Sequence, residues 1–254
     1  MISRGKNHNE PVPEEKIRLQ LFLARCGIAS RRRCVEIINQ GKVTVNRVII
    51  KEPYFKVNPD TDKVEYLDEE VKLPKYAFHK LYKPVGYLTT MRDERGRKTI
   101  TELIPSKFGR LFPVGRLDLN SEGLIIFTNH GEAANRMMHP RHHVMKIYHV
   151  KLDKTPDPKD LREMSAGIEL DGEKTMPAVY EMLRKDSKII RVELMEGKKR
   201  QIRRVFNALG YKVVSLKRVA IGPIPLGNLK PGELRPFTLK EIFDLLDALG
   251  LPSF

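Results

Sequence analysis

PVGRLDLNSEGLIIFTNHG, residues 113–131, runs from a short polar loop into an apolar stretch. GLIIFT has the length and β-branched content of a buried strand. Gly115 and Gly123 allow sharp turns before and after Arg116–Asp118. Asp118 is therefore expected on a loop braced by a rigid strand, a common position for a reacting group. Taken alone, an aspartate in a loop is more often a turn or cap residue.

Around this stretch, residues 77–254 read as one larger α+β domain. A smaller compact unit is expected over 16–71, and a polar, proline-containing, mobile segment over 1–15. Between the two units the acidic run Asp68, Glu69, Glu70 and then Leu73-Pro74 read as a linker, centred on 72–76.

The small unit opens with IRLQLFLARCG, residues 17–27. Ile17, Leu19, Leu21 and Leu23 alternate as in a strand. Leu, Gln, Arg and Ala nevertheless favour a helix, and Gly27 is placed to end one in the left-handed conformation, so a helix is predicted. Ser30 then caps a second helix, Arg31–Gln40, closed by Gly41. Its first turn is Arg31, Arg32, Arg33, and three cations there oppose the macrodipole. A bound phosphate removes that conflict; a solvated basic face is the alternative. Residues 16–56 carry ten basic residues against Glu36 and Glu52, which favours phosphate binding. KVTVN and RVII predict a hairpin. A two-residue primed turn at Asn46-Arg47 needs positive φ at both positions, which Arg disfavours, so a longer turn or another type is expected.

The whole chain, 254 residues with 41% hydrophobic and 31% charged, fits a soluble protein of one or two domains. Its 47 Lys and Arg against 32 Asp and Glu leave +15. Such a balance favours polyanionic partners, because neutralised phosphates release counterions. No apolar run reaches the length of a membrane span, and no basic amphipathic helix stands out. The start lacks the apolar stretch of a secretory signal. A cytoplasmic location and no membrane partner are expected. Cys26 and Cys34 read as buried thiols rather than a disulfide or metal pair. RGRKT lacks the glycines of a P-loop. His139, His142 and His143 have no Cys or carboxylate spaced to complete a metal site, and the paired cysteines of a zinc deaminase are absent.

Four motifs occur in order: KPVGYLTTMRDERGRKTITELIP (83–105), GRLDLNSEGLIIFTNHG (115–131), KIYHV (146–150) and EGKKRQIRRVFNALGYKVVSLKRVAIGPIPL (196–226). Together they resemble the RsuA/RluB/RluE/RluF family of bacterial ribosomal pseudouridine synthases. In the small unit, R-L-x-x-x-L-x-x-x-G-x-x-S-R-R followed by G-x-V-x-V-N resembles the S4 RNA-binding module over about residues 16–62. Departures are few. Arg47 stands where the module usually has Gly, His130 where an Asp is usual, and Tyr82 where an Asn is common.

The resemblance implies an α+β protein: a small N-terminal S4-like α/β module, then a larger catalytic domain with a mixed, mainly antiparallel sheet flanked by helices. It implies isomerisation of uridine to pseudouridine in ribosomal RNA, without cofactor or metal. YKPVG, FPVGRLD and IGPIPL lie nearer the RluB type, which acts on large-subunit RNA, than the small-subunit enzyme. The resemblance further implies Asp118 as the catalytic carboxylate, Tyr148 stacked on the target base, Lys198 paired with Asp118, and Arg116 at the flipping site. The chemistry is coherent with those residues. An N–C glycosidic bond breaks, the uracil turns, and a C–C bond forms. A carboxylate can act as nucleophile and leaving group, a nearby cation keeps it ionised, and an aromatic face holds a flipped base without fixing its rotation.

From the residues alone, Lys198, Lys199, Arg200, Arg203, Arg204, Lys212, Lys217 and Arg218, in a window where only Glu196 is acidic, read as a phosphate-binding surface. Other readings stay open: Tyr148 as strand core, since KIYHVKL alternates, Lys198 as part of a solvated basic turn, and Arg116 as an ion-pair partner of Asp118. A non-catalytic RNA-binding assembly factor is the rival for the whole chain, and the same chemistry on small-subunit RNA a second. An RNA-cleaving enzyme lacks a suitably spaced acid–base pair. The expected partner is ribosomal RNA or an assembly intermediate, and the expected state a monomer.

Overall fold

A computed structural model describes residues 16–91 and 93–252; the segment 1–15, expected to be mobile, lies outside the described residues. The chain divides between Lys75 and Tyr76 into two compact units. Among the described residues no helix is long and apolar enough to cross a membrane.

The first unit contains strands β1 (Ile17–Arg18), β2 (Val43–Val45), β3 (Val48–Ile49), β4 (Lys56–Val57), β5 (Val64–Tyr66) and β6 (Glu69–Glu70), with helices α1 (Leu19–Arg25) and α2 (Arg31–Asn39). Leu19, Phe22 and Leu23 of α1 pack on Cys34, Ile37 and Ile38 of α2 and on Val43, Val45 and Val64 of the sheet. The strand-like alternation at 17–23 holds only at its start. Ile17–Arg18 pairs with β4, and the helix begins at Leu19. Ser30 caps α2 by accepting from the Arg33 N–H at 3.2 Å, as predicted.

Two expectations are corrected here. Asn46 and Arg47 do form a two-residue turn between β2 and β3, with φ of 52° and 68°. The Asn46 side chain makes this tolerable: it accepts from the Lys63 N–H (2.9 Å) and donates to Asp62 (2.9 Å), tying the turn to the neighbouring strand. The acidic run is not a linker. Leu67 and Asp68, both at positive φ, turn the chain so that β6 pairs with β5 as the end strand of the sheet β3-β2-β5-β6.

The second unit is built on a nine-stranded sheet. Its strands are β7 (Phe78–Lys83), β8 (Phe112–Val114), β9 (Glu122–Thr128), β10 (Lys146–Leu152), β13 (Val179–Met182), β14 (Ile189–Leu194), β15 (Val213–Ile221), β16 (Ile224–Pro225) and β17 (Leu234–Pro236); a separate hairpin, β11 (Glu169–Leu170) and β12 (Glu173–Lys174), precedes β13. The main path runs β13-β14-β10-β15-β9-β7-β17, with β8 against β9 and β16 against β15. The β9–β15 ladder is parallel; the other ladders of the sheet are antiparallel.

Helices cover both faces. Helix α4 (Pro158–Ala166) and helix α5 (Gln201–Ala208) pack with Leu81, Ile125, Phe127, Tyr148 and Val150 on one side. Helix α3 (Gly131–Met138) and helix α6 (Leu239–Ala248) pack with Phe78, Tyr82, Leu124 and Ile126 on the other. Burial on both faces is why β9 reads as a continuous apolar run rather than an alternating one. His130, where an Asp is usual, still caps α3: its Nδ1 accepts from the Ala133 N–H at 3.1 Å.

Across one level of the sheet Lys83, Gly123, Arg218, Tyr148 and Val192 stand in register. Gly123 is required by close approach rather than by a turn after the loop. A Cβ there would lie 2.2 Å from the Arg218 carbonyl oxygen, and its φ is 108°.

Candidate active site

Asp118 lies in the loop entering β9, and that loop's backbone is held from three segments. The Leu117 carbonyl accepts from the Thr89 hydroxyl (2.7 Å), whose oxygen also accepts from the Leu117 N–H (3.2 Å). The Asp118 carbonyl accepts from the Ser121 N–H (3.0 Å) and from the Lys83 ammonium (3.1 Å). Leu119 accepts from the Gly86 N–H (2.9 Å), Asn120 from the Arg203 guanidinium (2.7 Å), and Ser121 from Lys83 (2.7 Å). Carbonyls 117 to 121 thus all have donors, which fixes the loop's path.

Lys83 is the central fastener. It is fully buried and also donates to the Pro84 carbonyl at 3.0 Å. Burial pushes its pKa down to about 8; Arg218 acts in the same direction, and Asp118 and Glu122 oppose it.

The Asp118 side chain makes no hydrogen bond to the described residues and is 39% exposed, with Arg200 Nη1 3.9 Å from its Oδ2. Arg200 leads into α5 in the left-handed conformation, φ 52°. The loop before it is anchored by buried Glu196, whose Oε1 accepts from Gln201 Nε2 (2.5 Å) and the Met176 N–H (3.0 Å). Gln201 Oε1 in turn accepts from the Lys198 N–H at 3.1 Å. A non-glycine residue in that backbone region is consistent with a constrained functional loop.

Lys198 does not hold Asp118 in this arrangement. Its ammonium bonds Glu173 Oε2 on the β11–β12 hairpin at 2.7 Å. That bond holds the Glu173 carboxyl below, and the Lys198 ammonium above, their usual ranges. The carboxylate's cation is Arg200, assigned from sequence to the RNA surface. Arg203 is also redirected. Its guanidinium turns inward to the Asn120 and Val213 carbonyls, and burial followed by Arg200 lowers its pKa against the pull of Asp118. Arg204 pairs with Asp171 at 2.5 Å.

Tyr148 is 9% exposed and belongs to one packed cluster with Leu117, beside Asp118, and Ile202, in the first turn of α5. It is a core residue, in register with Arg218 and Val192 on the neighbouring strands. Its hydroxyl has no hydrogen-bond partner among the described residues. Arg116 and Lys199 are exposed and make no ion pair among the described residues. In the first unit Arg31, Arg32 and Arg33 are exposed at the start of α2, with Arg33 paired to Glu36. Cys26 and Cys34 form no disulfide; burial, then Cys34, pushes the Cys26 thiol up to about 12.

Sequence reasoning missed Lys83, Gly86 and Thr89 as supports of the loop. The available signal was a lysine followed by proline at the end of the strand FHKLYK, where a buried cation needs several acceptors.

Comparison with known proteins fits this geometry. The family model for RNA pseudouridylate synthase matches residues 77–208, and the S4 domain model residues 17–62. An uncharacterized RNA pseudouridine synthase of Aquifex aeolicus (strain VF5) is 42% identical over 239 residues, covering 93% of this chain and 96% of the relative. Ribosomal large subunit pseudouridine synthase B of Bacillus subtilis (strain 168) is 38% identical over 229 residues, covering 89% and 93%. A solved pseudouridylate synthase superposes with a TM-score of 0.66 at 32% identity, covering 90% of this chain and 99% of that one. With an S4 module ahead of a domain matched by pseudouridine synthases along most of their length, and with a loop carboxylate beside an arginine, this chain belongs to the RNA pseudouridine synthase family.

Proposed function

We propose that this enzyme isomerises a specific uridine of large-subunit ribosomal RNA, with Asp118 as the catalytic carboxylate. The observation that carries the assignment is the Asp118 loop: five consecutive carbonyls are fastened while the carboxylate itself is left without hydrogen bonds among the described residues. A fixed backbone under an uncommitted carboxylate is the arrangement a nucleophile or charge-stabilising group needs. The large-subunit target follows the name of the Bacillus subtilis relative.

In this reading the flipped uridine rests on Tyr148. The C1′–N1 bond breaks with its electron pair leaving on the uracil, while Asp118 bonds or faces the electron-poor sugar. The uracil turns, C5 attacks C1′, the C5 proton is lost and N1 regains one. Atoms and electrons balance without an oxidant or an energy source. Arg200 stands 3.9 Å from the Asp118 carboxylate, a cation beside the reacting group. Arg116, Lys199 and the Arg31–Arg33 turn are proposed to hold RNA phosphates.

Loss of the C5 hydrogen supplies the test. Wild-type protein should release tritium from a large-subunit transcript labelled at uracil C5, and Asp118→Asn should release none while binding the transcript as tightly. Turnover by the Asn variant sinks the catalytic assignment. Release only from a small-subunit transcript moves the target, and binding without any release favours the assembly-factor reading.

A further inference from the structure

The β11–β12 hairpin turns at Asp171 and Gly172, with φ of 57° and 79°. Its base is rigid. A Cβ on Gly167 would lie 2.4 Å from the Thr175 carbonyl oxygen, and buried Thr175 accepts from the Ile168 N–H through its hydroxyl at 2.9 Å. From this base two exposed carboxylates reach the basic segment that opens α5. Glu173, 74% exposed, bonds Lys198 at 2.7 Å, and Asp171, 82% exposed, bonds Arg204 at 2.5 Å.

Ion pairs this exposed contribute little to stability, so the fold does not account for them. They do change the electrostatics of the site. In a chain of net charge +15, two of the five cations at residues 198–204 are neutralised by one acidic hairpin. A carboxylate presents the same acceptor geometry to Lys and Arg as a phosphate does.

We propose that Lys198 and Arg204 form a binding site for two RNA backbone phosphates, and that Glu173 and Asp171 occupy it in the free protein until RNA displaces them. This rests on the RNA-modifying function proposed above and adds a threshold to it. An RNA that offers only one phosphate leaves one carboxylate in place. A segment presenting two phosphates in register releases both. Only side-chain rotation of the two acids is required, since the hairpin stays tied at Gly167 and Thr175.

The full-length double variant Asp171→Asn, Glu173→Gln tests it. Asn tolerates the left-handed conformation at position 171, so the turn is kept, and a thermal melt checks this. Affinity for the transcript should rise about three- to tenfold at about 50 mM salt. The slope of log K against log salt should steepen, because in the wild type the freed carboxylates take up cations and offset those released from RNA. The gain from Asp171→Asn should vanish in an Arg204→Gln background. Unchanged or weaker binding overturns the proposal. So does an equal gain in the Arg204→Gln background, which would mark it as long-range charge only. Tritium release measured on the wild type in the same preparations separates the two failures: release with no affinity change sinks the hairpin proposal alone, and no release sinks the isomerase reading.

Discussion

Lys83→Met probes how the Asp118 loop is held. An ammonium has three donors, and Lys83 meets three carbonyls, those of Pro84, Asp118 and Ser121. Methionine fills the space and removes all three bonds. The Asp118 carbonyl keeps its bond from the Ser121 N–H, which leaves two buried carbonyls unmet at about 1–3 kcal/mol each. Against this, the charge is no longer buried. A pKa held at about 8 against a usual 10.5 corresponds to about 3 kcal/mol of relief. The opposing effects nearly offset, so stability should change by no more than about 3 kcal/mol. Activity should respond far more, since a displacement of about 1 Å at a reacting group costs about a hundredfold. Single-turnover tritium release should slow about 10- to 100-fold, with RNA affinity unchanged. The pH dependence sharpens the test. Above about pH 8 the wild-type amine keeps two donors for three carbonyls, so its rate should fall there, whereas the methionine variant should show no such limb. The folded pKa lies below the unfolded one. The group's contribution to stability is therefore most favourable above about 10.5 and declines as pH falls towards 8. A variant within about twofold of wild-type rate, or one that keeps the alkaline limb, refutes the reasoning.

Three other substitutions have distinct expected outcomes. Gly123→Ala places a Cβ 2.2 Å from the Arg218 carbonyl oxygen and should cost more than about 3 kcal/mol or prevent folding; a denaturant midpoint equal to wild type would contradict that. Glu241→Gln keeps an acceptor for the Thr238 N–H but leaves buried Lys80, now bonded to Glu241 at 2.5 Å, without its anion. Calorimetry should show a loss of about 3–5 kcal/mol, and a loss below about 1 kcal/mol would mean that water serves Lys80 instead. Arg31, Arg32 and Arg33 changed together to Gln should flatten the salt slope of RNA binding by about 2–3 while stability holds, because relief at the start of α2 offsets the lost Arg33–Glu36 pair. A lowered melting point with an unaltered slope would show these arginines to be structural.

Much of the architecture is written in local signals. Ser30 before three arginines, the glycines at 27 and 41, and the apolar run of β9 each follow from side-chain chemistry within a few residues. The turn at Asn46-Arg47 and the strand at Glu69–Glu70 escape such signals because a neighbouring strand decides them: Asn46 is held by Asp62 and Lys63, and β6 by β5. The site divides in the same way. Asp118 and Tyr148 stand out through ordered motifs, whereas the cation expected beside Asp118 was misplaced within EGKKRQIRR: Arg200, not Lys198, stands there. Lys198, Arg200, Arg203 and Arg204 are chemically alike and close in sequence. Which of them meets Asp118 depends on the left-handed backbone at Arg200 and on carboxylates supplied by a hairpin at residues 169–174. No spacing rule contains either fact.

The parallel ladder between β9 and β15 has a consequence for folding. Two register pairs make it, Lys217 with Glu122 and Arg218 with Gly123, reinforced by the Arg218 Nε bond to the Leu124 carbonyl at 2.7 Å across 94 residues of sequence. Asp118 comes from the antiparallel group on one side of this seam, and Tyr148 and Arg200 from the other. Like the ladder that joins Leu81 of β7 to Leu234 of β17, the seam closes a long chain loop and carries the entropy of doing so. The carboxylate meets its arginine only once this seam has closed. Activity in a refolding experiment requires closure of the seam, and hydrogen exchange at Gly123 and Arg218 would report openings that separate the catalytic groups.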